Sequence, residues 1–127
     1  MTKGRLGVAT LMLALAVIGT TAWGGALRHT KLVRSLPSAD TTMASPEAIQ
    51  LWFSDKPEAR LTAISLLRAD SSRISLGPVK SVVDPLLVEA KVLAPLQPGA
   101  YAVVWRTASP DGHVVRGRFE FQVVAAP

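Results

Sequence analysis

The sequence predicts an all-β sandwich, and three observations carry that expectation. From residue 29 onward the apolar runs are short, and turn residues separate them at the spacing of stacked antiparallel strands. Two runs alternate apolar and polar side chains: Ile49, Leu51 and Phe53 around Gln50 and Trp52, and Phe119, Phe121 and Val123 among Arg118, Glu120 and Gln122. That period of two places one side of a strand in a core and the other in water. No internal repeat or helical heptad competes with it, and Pro46-Glu47-Ala48 offers at most one helical turn.

Residues 31–36 form the first run and Pro37 ends it, since proline has no N–H to continue a ladder. A loop over 38–46, rich in Ser, Thr and Ala, leads to the second run at 49–53, which Asp55, Lys56 and Pro57 stop. Runs at 61–67, 74–76 and 86–93 follow, the last with Glu89 and Lys91 on its polar side. Pro95-Leu96-Gln97-Pro98-Gly99 is a turn, because proline fixes φ and glycine accepts a positive one. The run 101–108 carries Tyr101, Val103 and Trp105 on one side and Val104 on the other, as in a central strand covered on both faces. The run 118–124 closes a set of about seven strands. Trp52, Tyr101, Trp105, Phe119 and Phe121 read as core or near-core side chains, and Asp40 as a turn residue.

The amino-terminal segment has a separate logic. Lys3 and Arg5 precede an uncharged stretch from Leu6 to Leu27 that ends among small residues such as Ala22, Gly24, Gly25 and Ala26. A basic start, an apolar middle and a small-residue end read as a signal peptide over 1–26. The same stretch reaches the ~20 residues that cross a bilayer, so an uncleaved anchor in the cytoplasmic membrane is the alternative. Either way the domain at 29–127 is expected outside the cytoplasm, in the periplasm or anchored facing it. Of the 14 Lys and Arg, Lys3, Arg5 and Arg28 precede His29, which leaves 11 against 9 acidic residues, a net of +2. Those charges are scattered, so no nucleic-acid partner is expected, and Arg116 and Arg118 read as a solvated strand face. With no cysteine there is neither a disulfide nor a thiolate metal site. No Gly-x-Ser-x-Gly elbow and no His-Glu-x-x-His pair is present, which favours a binding protein over an enzyme.

One stretch carries chemistry. Ser109-Pro110-Asp111-Gly112-His113 lies between two strand-like runs, with Asp and His two residues apart and Gly between them. The glycine lets the backbone fold sharply, so an oxygen and a nitrogen can face the same side. That is half of a metal site; taken alone it is also an ordinary hairpin turn. The chain has two histidines, and the other is His29.

Several pieces taken together, His29-Thr30-Lys31-Leu32, Pro37 with Ala39-Asp40, Leu51-Trp52-Phe53-Ser54, Leu96-Gln97-Pro98-Gly99-Ala100-Tyr101 leading to Trp105-Arg106, Ser109-Pro110-Asp111-Gly112-His113 and Gly117-Arg118-Phe119-Glu120-Phe121, resemble the copper resistance protein C (CopC) domain family. The resemblance covers nearly all of 29–127. It implies an immunoglobulin-like Greek-key β-sandwich or barrel and an exported protein that binds Cu(II). It also implies a copper site at one end, made by an amino-terminal His, the Asp and His of the turn and sometimes a further carboxylate. Carried over residue by residue, His29, Asp111 and His113 are the ligand candidates, with Asp55 a weak fourth because it follows Phe53-Ser54. Such nitrogen and oxygen donors suit the tetragonal preference of Cu(II). The implied role is to buffer or carry copper in homeostasis and resistance, with an inner-membrane copper transporter or a periplasmic copper acceptor as partner. The alternative is a metal-free immunoglobulin-like interaction module of the cell envelope, for which Asp-Gly-His is only a turn.

The sequence departs from the family pattern twice. Arg28 before His29 does not suit signal cleavage, whereas cleavage after Ala26, with Gly24 at minus three, does. The chain would then begin Leu27-Arg28-His29, whose amine, two backbone amides and third-position imidazole can hold Cu(II) in a square plane, with Asp111 and His113 as secondary or rival ligands. Some relatives also carry a Met-rich loop for Cu(I); here Met1 and Met12 lie in the signal and Met43 stands alone, so Cu(II) binding only is expected.

Overall fold

Strand pairing divides the chain into two sheets. The structure, a computed structural model, describes residues 29–127; the expected signal or anchor at 1–26 lies outside them. β1 (Leu32–Leu36), β3 (Ala48–Phe53), β7 (Leu87–Lys91) and β6 (Lys80–Ser81) form one sheet in that order. β2 (Thr42–Met43), β9 (Val114–Val123), β8 (Gly99–Ala108), β4 (Ala63–Arg68) and β5 (Arg73–Ile74) form the other. All pairings are antiparallel except β2 with β9. Neighbours such as β3 and β7, or β4 and β8, are distant in sequence, as Greek-key connections between two packed sheets require. Among the described residues no helix is long and apolar enough to cross a membrane.

The expected alternation sets the core. Ile49, Leu51 and Phe53 are fully buried, and they meet Leu66, Val103, Trp105 and Phe121 from the facing sheet. Each such side chain contributes about 1.5–3 kcal/mol on leaving water. Phe53 meets Trp105 edge to face at 5.2 Å, and Tyr101 stacks on Phe121 at 5.8 Å. The Tyr101 hydroxyl donates to the Gln97 carbonyl at 2.5 Å, the tyrosine corner of immunoglobulin-like sandwiches, tying β8 to the turn that precedes it. β8 is the middle strand of its sheet, as its double-sided apolar pattern implies.

The differences from the expected runs have local causes. Leu61 is exposed on a 3₁₀ turn at Ala59–Leu61, and β4 starts only at Ala63, because the Thr62 hydroxyl closes that turn onto the Glu58 carbonyl at 2.8 Å. β5 takes only Arg73 and Ile74, while Leu76 bridges to Val92 beside the opposite sheet, so the chain changes sheets there. β9 begins at Val114, four positions before the expected run, because the β8 ladder continues to Ala108 and Val114. Gly117 lies within that added length, and a Cβ there would sit 2.3 Å from the Trp105 ring. Trp52 is half-buried on the outer face, where it lies 4.4 Å under the Arg34 guanidinium and donates to Asp84 at 3.2 Å.

Candidate metal centre

The β8–β9 hairpin presents its turn at one end of the sandwich. Pro110 occupies the second position of a β-turn closed by the Gly112 N–H on the Ser109 carbonyl at 2.8 Å. Gly112 has φ +87°, a region that disfavours any residue with a Cβ. The Ser109 N–H then reaches the His113 carbonyl at 2.7 Å, so the loop is held at both shoulders. Asp111 folds back over this turn: its Oδ1 accepts the His113 N–H at 3.1 Å and its Oδ2 lies 2.7 Å from His113 Nδ1.

That double contact has an electrostatic result. The hydrogen bond from the His113 ring, and next the one from its backbone N–H, hold the Asp111 carboxyl below the usual carboxylate value. An ionised carboxylate can only accept, so this contact calls for a proton on Nδ1, which leaves Nε2 as the ring nitrogen to face a metal. Asp111 can therefore orient the imidazole while offering an oxygen of its own.

His29 arrives from a different part of the chain. Thr30 beside it is 4 % exposed. Its N–H donates to Ser109 Oγ at 2.9 Å and its hydroxyl to Asp55 Oδ2 at 3.1 Å. The Ser54 hydroxyl donates to the same carboxylate oxygen at 3.2 Å, and Ser54 and Lys31 exchange bonds of 2.9 and 2.8 Å. The strap 29–31 is thus pinned between the hairpin and the end of β3. Its result is a His29 ring 5.5 Å from that of His113, nearly perpendicular to it.

Potential donor atoms of His29, Asp111 and His113 all lie within 4.8 Å of one another, and all three residues are exposed. Donors on one ion at a typical ~2.0–2.1 Å lie at most ~4.2 Å apart, so the set fits a metal after small side-chain rotations. Asp55 is not brought into this cluster; its carboxylate is occupied by Thr30 and Ser54. Met43 pairs with Val123, at the far end of β9 from His113, in a cleft of about 560 Å³ shared with Leu36, Pro37 and Glu47. Sequence reasoning missed Thr30, Ser54 and Ser109, whose place beside the candidate ligands was the one available signal.

Known proteins share the sequence and fold of this domain. The family model of the CopC domain matches residues 32–124, which includes Asp111 and His113 and begins just after the strap. Copper resistance protein C of Escherichia coli is 31% identical over 105 residues, covering 77% of this chain and 83% of that protein. The crystal structure of CopC from Methylosinus trichosporium OB3b is similar at a TM-score of 0.70 and 33% identity, over 78% of this chain and 97% of that one. PcoC, a methionine-rich copper resistance protein from Escherichia coli, is similar at a TM-score of 0.68 and 31% identity, over 76% of this chain and 100% of that one.

Proposed function

This chain belongs to the CopC domain family, and on that premise we propose that it is an exported copper-binding protein that holds Cu(II) and buffers or carries it in copper homeostasis and resistance. One observation carries the reading: donor atoms of His29, Asp111 and His113 converge within 4.8 Å from two distant chain segments. Imidazole nitrogen and carboxylate oxygen favour Cu(II), which stands at the top of the divalent affinity order. The lone thioether of the domain, Met43, lies at the other end of the sandwich, which supports Cu(II) over Cu(I). Because the three donors are exposed, an inner-membrane transporter or a periplasmic acceptor can reach the ion without opening the fold. Binding and release suffice; no turnover is needed.

Copper titration of the exported protein, read by calorimetry and electron paramagnetic resonance, should show one tightly held Cu(II) that an Asp111→Ala/His113→Ala variant loses. Full affinity in that variant would place the ion on the Leu27-Arg28-His29 tail, and no binding by the parent protein would favour the interaction module. Imidazole must be neutral to ligate, so copper affinity should fall as the pH is lowered from 7 toward about 5. Asp111 remains charged across that window. Its carboxyl is held below the usual value, so its contribution is present above that lowered value and is lost only as the pH falls through it.

A further inference from the structure

We propose that the open edge of β9 beside the hairpin docks an extended acidic segment of a partner protein, which joins the five-stranded sheet as an added strand. The proposal does not depend on copper binding.

β8 covers one side of β9 along its whole length, from Gly99 opposite Val123 to Ala108 opposite Val114. On the other side β2 pairs only at Gln122 and Val123, and the Asp40 N–H reaches the Glu120 carbonyl at 2.7 Å. The bonds from Gln122 N–H to Thr41 and from Val124 N–H to Met43 show that even-numbered residues direct their backbone groups to that side, since the direction alternates along a strand. Val114, Arg116 and Arg118 therefore present N–H and C=O to an edge with no strand beside it among the described residues. Such edges are usually blunted by a bulge, a proline or a short strand. β1, at the edge of the other sheet, has a register shift between Leu32 and Arg34, whereas β9 keeps regular register against β8 and contains no proline.

Charge marks the same edge. Arg116 stands directly opposite Arg106 on the outer face, both are exposed, and like charges so placed repel. Neither takes part in an ion pair or side-chain hydrogen bond among the described residues, while Arg118 meets Glu120 at 3.3 Å. The outer face of the other sheet is balanced by comparison: Gln50 donates to Glu89 at 2.7 Å, Lys80 lies opposite Glu89, and Trp52 sits between Arg34 and Asp84.

These features select the occupant. A second copy pairing through β9 would set arginines against arginines. Residues 1–28 carry Lys3, Arg5 and Arg28 and no acidic residue, so their sequence has no carboxylate to offer the edge. An anionic lipid surface would satisfy the guanidinium groups and leave the backbone groups unused. An extended acidic peptide satisfies both, with main-chain bonds for affinity and alternate carboxylates against Arg116 and Arg118.

The test uses the copper-free exported protein with three probes: a peptide alternating Glu with Val, the same peptide with Lys for Glu, and phosphatidylglycerol vesicles. Amide NMR and hydrogen exchange should show the acidic peptide alone shifting and protecting Val114, Arg116 and Arg118, more weakly as salt rises. Arg116→Glu/Arg118→Glu should weaken it at least about fivefold, as two exposed charge pairs allow. Val114→Pro removes one N–H that faces the edge and leaves the charge unchanged, so it should also weaken binding. Equal binding of both peptides, shifts confined to other strands, or indifference to either variant would overturn the proposal. Vesicle binding without peptide binding would overturn it in favour of a membrane surface.

Discussion

The hairpin and the strap bring donors to one point by unlike means. Asp111 and His113 sit on a short turn whose two strands are joined over ten register pairs, so their positions are set by the ladder and persist as long as the domain is folded. His29 precedes the first strand, and its place depends on the few hydrogen bonds of the strap, from Thr30 to Ser109 and Asp55 and between Lys31 and Ser54. Single hydrogen bonds contribute about 1 kcal/mol net, and a segment held by a few of them opens locally well before the core does. One half of the donor set is therefore scaffold and the other half is tether. On the proposed reading, an ion on the hairpin would stay while the strap opens and closes.

The largest effect separates the halves directly. His113→Ala should weaken Cu(II) binding by more than about 100-fold, beyond the ~10–100-fold that loss of an outer-shell partner costs. His29→Ala should leave a weaker ion on the hairpin, with changed electron paramagnetic resonance parameters. The comparison breaks if His113→Ala retains most of the affinity and His29→Ala abolishes it, because the ion would then reside on the tail.

Next in size is damage to the scaffold itself. Gly117→Ala would force a Cβ to within 2.3 Å of the Trp105 ring, and this ring also packs on Phe53. Overpacking of that kind costs about 1–3 kcal/mol. In a domain of this size that lowers the melting temperature by roughly 4–8 °C per kcal/mol, and thermal unfolding of the copper-free protein measures it. An unchanged melting temperature would show that the ring does not brace the hairpin.

A smaller change tests the tether. Ser109→Ala removes the acceptor of the buried Thr30 N–H and touches no candidate ligand. Affinity should fall about tenfold, or ~1.4 kcal/mol, through faster copper dissociation, with the β8 and β9 amides away from position 109 unshifted. A dissociation rate like that of the parent protein would mean that the strap holds without Ser109.

The same contrast explains what could be read from the sequence. The Asp-Gly-His turn and the Ile49, Leu51, Phe53 alternation were legible because their determinants are local: a glycine with positive φ, and a period that coincides with burial. The first half of β9 was hidden, since its inward position at Gly117 lacks the side chain that would have shown the period; the Trp105 ring takes that space. β2 and β6 have two residues each and offer no period at all. The strap was hidden for another reason. Thr30 and Ser109 are separated by 79 positions, and nothing in a Thr or a Ser announces so distant a partner. Asp55 stood out only through family resemblance, which suggested a ligand, whereas its hydrogen bonds give it the work of an anchor.

That difference in role yields the smallest expected effect. Asp55→Asn retains a carbonyl oxygen that can accept from the Thr30 and Ser54 hydroxyls, which now reach Asp55 Oδ2 at 3.1 and 3.2 Å. An anchor survives that change, so Cu(II) affinity should shift by less than about threefold, well under the cost of disturbing a metal's outer shell. A ligand would not survive it, because an amide oxygen lacks the carboxylate's charge; a loss approaching that of His113→Ala would return Asp55 to the donor set. Asp55→Ala removes the acceptor altogether and should resemble Ser109→Ala. Combining Asp55→Ala with Ser109→Ala should then cost less than the sum of the two, because both release the same strap and it can be released only once.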